Sequence, residues 1–356
     1  MKTLFEPVVV GGIRLKNRLI RSATFERPAV EGGSFAESLI PIYKNLAEGE
    51  IGAIITGMVG VDRSSCLFSE TIKAYDKEFI SDLQTITELV HEYGCKIIVQ
   101  LNHCGLRSTY LEEGERLLAP SVWKISPDKT AEEMTHEDIA AVAESFANAV
   151  VQCRKAGADG VQIHCAHGYL LSQFLSSYFN KRQDEYGGDI DSRGRIVFDV
   201  YDAVRQHVGS DYPVWIKINC KDMTEGGTNA EEYLRFCMKL AERGINAIEV
   251  SGGIAVGLKS SPVPIIKNGE EGYFATEAAA LAEQIEASVI SVCGYRTPSS
   301  MEEWLNKSRI EAISLSRPLI SEPGLIKRWQ AGDKSKARCI SCNKCFRTGS
   351  FGCRTY

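Results

Sequence analysis

No stretch of this chain is apolar for long enough to span a membrane, and its first residues carry no apolar signal-peptide core. A secreted or membrane-embedded protein is therefore not expected. Basic runs are missing too. The 41 Lys and Arg stand against 46 Asp and Glu, a net charge of −5, which argues against nucleic acid or an anionic membrane as the partner. No low-complexity linker divides the sequence, and no GxGxxG turn marks a dinucleotide-binding unit. Neither HxH nor HExxH occurs, so a hydrolytic metal site lacks its usual ligands. What is present is enough for a large core, with 356 residues of which 44% are hydrophobic and 24% charged. Eight of the twelve cysteines are scattered through apolar stretches, Cys153, Cys165, Cys220 and Cys293 among them. Without a secretion signal these read as reduced, packed thiols of a cytoplasmic protein.

One unit recurs along the chain: a short β-branched run with little alternation, a polar loop, then a helical stretch. The runs cover 18–24, 52–58, 96–102, 159–164, 213–219, 246–251, 288–293 and 311–316. Strands that do not alternate suit a sheet buried on both faces, and crossover helices keep such strands parallel. Gly94, Gly157 and Gly244 stand where helices stop before the next strand, and Thr135 with Asp138 resembles a capping box. Eight such units predict a closed (β/α)8 TIM barrel over residues 1–337, followed by a short Cys-rich tail over 338–356.

Barrel chemistry sits at the C-terminal strand ends. Polar or small residues gather there: Ser22, Ala23 and Thr24, then Thr56 and Gly57, then Gln100, Asn102 and His103, then His164 and His167, then Lys217 and Asn219. One buried polar residue is usually a satisfied hydrogen bond, but five consecutive strand ends point to a site. His164 and His167 could converge on one anion or carbonyl oxygen, with Tyr169 as a nearby proton source, or serve as structural histidines or metal ligands. Lys217, inside a strand, reads as a core salt bridge, a Schiff-base amine or a cation beside an anionic cofactor. Gly294, Tyr295, Ser316 and Arg317 follow the last two strands, where barrels often hold phosphate.

These residues resemble the old yellow enzyme family of FMN-dependent NADH:flavin oxidoreductases and ene-reductases, over about residues 4–329. The carriers are LFEPVVVGGIRLKNRLIRSAT at 4–24, QLNHCGLRS at 100–108, IHCAHGYLLSQFLSSYFNKRQDEYGG at 163–188 with SRGR after it, and the pair GYR and SRP. The resemblance implies a non-covalent FMN lined by Ser22, Ala23, Thr24 and Phe25, with Gly57 packed on it. Gln100 and Lys217 would face its pyrimidine edge, and Gly294, Tyr295, Ser316 and Arg317 its phosphate. His164 and His167 would grip a substrate carbonyl oxygen and Tyr169 would deliver a proton. Three positions depart from the family: Phe25 replaces a common Thr or Cys, Arg27 falls near a substrate-contacting Tyr, and Ser316 replaces a common Gly.

The implied activity takes hydride from NAD(P)H and reduces the C=C bond of an enone or enal, both substrates using one face in turn. Alternatives are a Schiff-base aldolase built on Lys217 and a non-catalytic flavin or metal-binding electron-transfer protein. A homo-oligomer is expected. In the tail, Cys339, Cys342, Cys345 and Cys353 have iron–sulfur spacing that also suits zinc. Larger relatives carry a [4Fe–4S] cluster here and continue into further cofactor domains, which this sequence lacks after Tyr356. Reduced thiols are therefore the expectation.

Overall fold

The computed structural model describes residues 1–26, 34–254, 270–346 and 351–356. Eight parallel strands form the centre: β1 (Leu19–Arg21), β2 (Ala53–Ile55), β3 (Lys96–Asn102), β4 (Gly160–Cys165), β5 (Val214–Asn219), β6 (Ala247–Ser251), β7 (Ser288–Val292) and β8 (Ala312–Leu315). Each pairs with its neighbour, and β8 pairs with β1, so the sheet closes into the expected (β/α)8 barrel. Every predicted run contains or overlaps its strand.

Helices α1 (Phe35–Glu48), α2 (Phe79–Glu92), α3 (His136–Lys155), α4 (Arg195–Val208), α5 (Ala230–Glu242), α6 (Ala275–Ala282), α7 (Pro298–Lys307) and α8 (Leu325–Gln330) cover the outside. On α4, Ile196, Val197, Val200, Tyr201, Val204 and Val208 recur at helical spacing and are buried, each worth about 1.5–3 kcal/mol of transfer free energy. The capping box forms: Thr135 accepts from the Asp138 amide at 3.1 Å, and Asp138 from the Thr135 amide at 2.9 Å. The three helix-stopping glycines, Gly94, Gly157 and Gly244, sit at φ 64°, 79° and 96°. Among the described residues, no helix is long and apolar enough to cross a membrane.

The barrel interior divides by chemistry. Its N-terminal half is apolar, filled by Ile20, Ala53, Ile98, Trp215, Ala247 and Ile290. A hairpin of Val8–Val10 with Ile13–Leu15 plugs that end, and Trp215 donates its indole N–H to the Gly11 carbonyl at 3.1 Å. The C-terminal half holds buried Gln100, Gln162, His164, Lys217 and Glu249 instead. The fold thus leaves one polar mouth, on the side where loops follow strands.

Two features differ from the sequence expectation. Strands β1 and β2 are three residues each; the last sheet bonds beyond them are from the Ser22 amide to the Leu315 carbonyl and from the Thr56 amide to the Ile98 carbonyl. The loop after β3 also carries its own small sheet, Leu118–Ala119, Trp123–Ser126 and Lys129–Glu133. Its apolar residues pack on Phe179 and Tyr178 in a separate cluster. Its strands are too short, and too polar at Lys129–Glu133, to give a periodic signal.

Candidate active site

His164 is the fifth residue of β4, and register places it beside Lys217 on β5, which in turn faces Glu249 on β6. Side chains alternate across a strand, so this layer points into the barrel. Lys217 donates to the Ser22 hydroxyl at 2.8 Å and lies 3.2 Å from the Glu249 carboxylate. Glu249 also accepts from Ser22 at 2.8 Å, Ser314 at 2.5 Å and Gln162 at 2.9 Å, and Gln162 accepts from Gln100 at 2.8 Å. Burial alone would raise the Glu249 carboxyl, but the Lys217 charge and these donors outweigh it and hold it below the usual range. An amine enclosed by Ser22 and Glu249 is not open to a carbonyl carbon, which weighs against the aldolase alternative.

The two histidines and the tyrosine come together as read from the sequence. Ring centroids lie 5.4 Å apart for His164 and His167, nearly perpendicular, and 5.0 Å apart for His164 and Tyr169. His167 has φ 64°, an uncommon value for a residue with a side chain. Its amide donates to Asn219 Oδ1 at 3.2 Å, and its Nε2 meets the Ser251 hydroxyl at 2.8 Å. His164 Nδ1 is buried without a partner. Removal from water pushes both imidazoles well below their ordinary value, and Lys217 and Arg107 add to the shift. Both rings are therefore neutral near pH 7. Burial pushes the Tyr169 phenol up to about 12, so it keeps its proton.

Toward the last two strands, Cys293 and Gly294 both take left-handed backbone, φ 100° and 81°, and a Cβ on Gly294 would fall 2.7 Å from Tyr273. The Tyr295 hydroxyl is occupied by Ser291 at 2.8 Å, which leaves its backbone for a ligand. Ser316 meets Thr24 at 2.8 Å, joining the eighth loop to the first. Arg317 reaches the tail, donating to Asn343 at 2.6 Å. Of the first-strand group, the Ser22 amide is spent in the sheet, its hydroxyl lies between Lys217 and Glu249, and its carbonyl accepts from the Thr24 hydroxyl at 3.0 Å. Ala23 is half-buried and packs on the inner core, and Phe25 stacks on Phe68. A Cβ on Gly57 would meet Glu26 and the Thr24 carbonyl within 2.8 Å, so that place admits only glycine. Arg27 lies outside the described residues.

His103 does not join the site. Its Nδ1 accepts from the Gly105 amide at 3.0 Å and its Nε2 meets Ser64 at 3.0 Å, a satisfied structural histidine. Sequence reasoning assigned no role to Glu249, Ser251, Glu26 or Arg107. An acid amid the apolar residues of β6 was the available signal for Glu249.

In the tail, Cys339, Cys342, Cys345 and Cys353 line one small cavity together with Arg317. None of the four is in a disulfide. Among the described residues, the only metal-ligating atoms found mutually within 4.8 Å in threes belong to exposed His136, Asp184 and Glu185. No three of the tail sulfurs therefore lie mutually within 4.8 Å, whereas a tetrahedral zinc–thiolate site sets its sulfurs about 3.8 Å apart.

Residues 3–336 match the NADH:flavin oxidoreductase / NADH oxidase family. A metal reductase of Desulforamulus reducens is 33% identical over 97% of this chain, which spans about half, 51%, of that protein's length. An NADPH dehydrogenase of a Geobacillus species is 31% identical over 90% of this chain and 91% of its own. The crystal structure of an old yellow enzyme from a Pichia species superposes with a TM-score of 0.77 at 25% identity, covering 93% of this chain and 87% of that one. A closed barrel with its polar mouth at the strand ends and a match over nearly its whole length lead to one assignment: the chain belongs to the NADH:flavin oxidoreductase / NADH oxidase family, that of the old yellow enzymes.

Proposed function

We propose that this chain binds FMN non-covalently at the C-terminal mouth of the barrel, accepts hydride from NAD(P)H, and reduces the activated C=C bond of an α,β-unsaturated carbonyl compound. The donor set fits the cofactor. Gln100 and Lys217 would hold its pyrimidine edge, Ser22, Ala23, Thr24 and Phe25 would line it, and Gly57 would pack on it. Gly294, Tyr295, Ser316 and Arg317 would hold the phosphate through backbone N–H groups and one guanidinium. When bound, FMN supplies hydride transfer, alternating between the two substrates.

The observation that carries the reading is the unpartnered, buried Nδ1 of His164 in edge contact with His167 and Tyr169. Neutral imidazoles donate hydrogen bonds to a carbonyl oxygen and gain strength as negative charge develops there, at about 3 kcal/mol for a well-placed donor. Tyr169, protonated at neutral pH, gives its proton to the α-carbon. The test is the visible spectrum of the purified protein, with the released flavin identified by mass after heat precipitation. Anaerobic NADPH or NADH should bleach a flavin spectrum and 2-cyclohexenone should restore it. Release of FAD, or a bleached flavin that no enone reoxidises, would contradict the proposal.

A second reading concerns the tail. The four cysteines line one cavity in the C-x2-C-x2-C…C spacing that suits a [4Fe–4S] cluster, and no three of their sulfurs are gathered as closely as zinc requires. Anaerobic purification should then yield near-stoichiometric iron and acid-labile sulfide, lost in Cys342→Ser. Zinc, or no metal, would remove this reading without touching the first.

A further inference from the structure

Arg107 ends the short turn Gly105–Arg107 after β3 and is only 8% exposed. Its guanidinium lies 4.8 Å from the centroid of the Tyr169 ring, and its Nη1 donates to the His167 carbonyl at 3.0 Å. Its Nε is buried with no partner. A guanidinium taken out of water needs an anion or a full set of acceptors. Three other buried arginines of this chain have one: Arg21 lies 3.4 Å from Glu26 and Arg193 lies 2.9 Å from Glu232, while Arg182 pairs with Asp184 at 2.5 Å. Arg296 shares a buried, unpartnered Nε with Arg107 but touches neither Tyr169 nor the histidines. Among the described residues, the partners of Arg107 are a carbonyl and a ring, not a carboxylate.

The charge of Lys217 is offset by Glu249, so the positive character of the histidine side of the site rests on Arg107. Its effect reaches the catalytic rings, since it helps lower both His164 and His167. Two buried polar atoms without partners, Arg107 Nε and His164 Nδ1, therefore belong to side chains that both touch the Tyr169 ring. One suits a carbonyl oxygen. The other suits an anion, and a guanidinium holds a carboxylate through two parallel N–H bonds.

We propose that Arg107 is a specificity residue that binds a carboxylate carried by the unsaturated substrate, so that the preferred substrates are short unsaturated carbonyl acids rather than neutral enones. This rests on the carbonyl-reducing reading of the site and narrows it. The carboxylate sits at Arg107 while the activating carbonyl sits at His164 and His167, which places the two groups a few bonds apart across the width of one tyrosine ring. Of the three residues of the turn, only Arg107 carries charge.

The test compares trans-4-oxo-2-pentenoate with its methyl ester as oxidants of the NADPH-reduced holoprotein, in the parent, Arg107→Met and Arg107→Lys. The parent should favour the acid. Arg107→Met should lose roughly 30-fold in kcat/KM for the acid, the worth of a charged hydrogen-bonded contact, and stay within about threefold for the ester. Arg107→Lys should recover part of the acid rate, as a point charge without the fork. Equal flavin content per chain and an unchanged melting temperature across the three show that the variants are folded and loaded. Equal losses on acid and ester, or a parent that prefers the ester, would overturn the proposal and reduce Arg107 to a prop for Tyr169 and the His167 loop. Calorimetric titration of the same holoproteins with benzoate and benzamide separates this inference from the reading it rests on. If no enone is reduced but benzoate binds more tightly than benzamide, and only in the parent and Arg107→Lys, the anion site stands and the alkene reduction falls. Equal affinity for the two ligands in the parent overturns the anion site.

Discussion

Lys217 Nζ lies 3.2 Å from Glu249 Oε2 inside the barrel, where neither side chain is more than 5% exposed. The strand register sets them side by side. A buried pair of this kind costs desolvation on both sides, so its worth shows when one partner is removed. Lys217→Met should destabilise the protein by about 3–5 kcal/mol, because it strands a carboxylate. Adding Glu249→Gln should return most of that loss. Urea unfolding of the four forms of the cycle measures the coupling, and strictly additive losses would show that the two charges act independently.

Tyr169→Phe removes a proton but no group assigned to the flavin. NADPH should bleach the variant at nearly the parental rate, while reoxidation by 2-cyclohexenone should slow by about 10²-fold or more, the usual range for a lost general acid. Stopped-flow absorbance reads both half-reactions separately. Parental reoxidation would assign the proton to solvent or another residue.

Arg317 stands between the eighth strand's loop, proposed to hold the FMN phosphate, and the cysteine tail. Arg317→Ala should weaken FMN binding by about 10- to 100-fold, the worth of one or two charge-assisted bonds, and leave riboflavin almost unaffected. Fluorescence titration of the apoprotein with each compound distinguishes them. Equal weakening of both would remove Arg317 from the phosphate site.

Stability should depend on pH through two opposed sets of groups. His164 and His167, held well below 6.5 chiefly by burial, take up protons only on unfolding, so their contribution is present above about pH 6.5 and lost as pH falls toward their folded values. Glu26 works the other way. Burial against the partial compensation of Arg21 raises it to about 7, so its contribution is present below about 4.5 and lost as pH rises through 7. Between pH 5 and 6.5 the two histidines make stability rise with pH and Glu26 opposes them. His164→Asn should flatten that rise and Glu26→Gln should steepen it, as read from urea midpoints at pH 5, 6 and 7. A slope that His164→Asn leaves unchanged would contradict the neutral assignment of the histidines.

The sequence alone determined the barrel and the heart of its site. Non-alternating β-branched runs, glycine stops and one capping box are local signals, and a strand buried on both faces can be built in few ways. His164, His167 and Tyr169 were legible because they share one strand end and the loop after it, where six residues of chain place all three at the same mouth. What only the tertiary structure decided is which distant charges meet. Lys217 and Glu249 lie on adjacent strands whose register sets their contact, and Arg107 reaches the His167 carbonyl across 60 positions of chain. Cys353 joins Cys339, Cys342 and Cys345 around one cavity only because the tail folds back onto itself beside Arg317. The physical reason is that periodicity tells which face of a strand is buried, whereas pairing across the barrel depends on closure and stagger, which belong to the whole sheet.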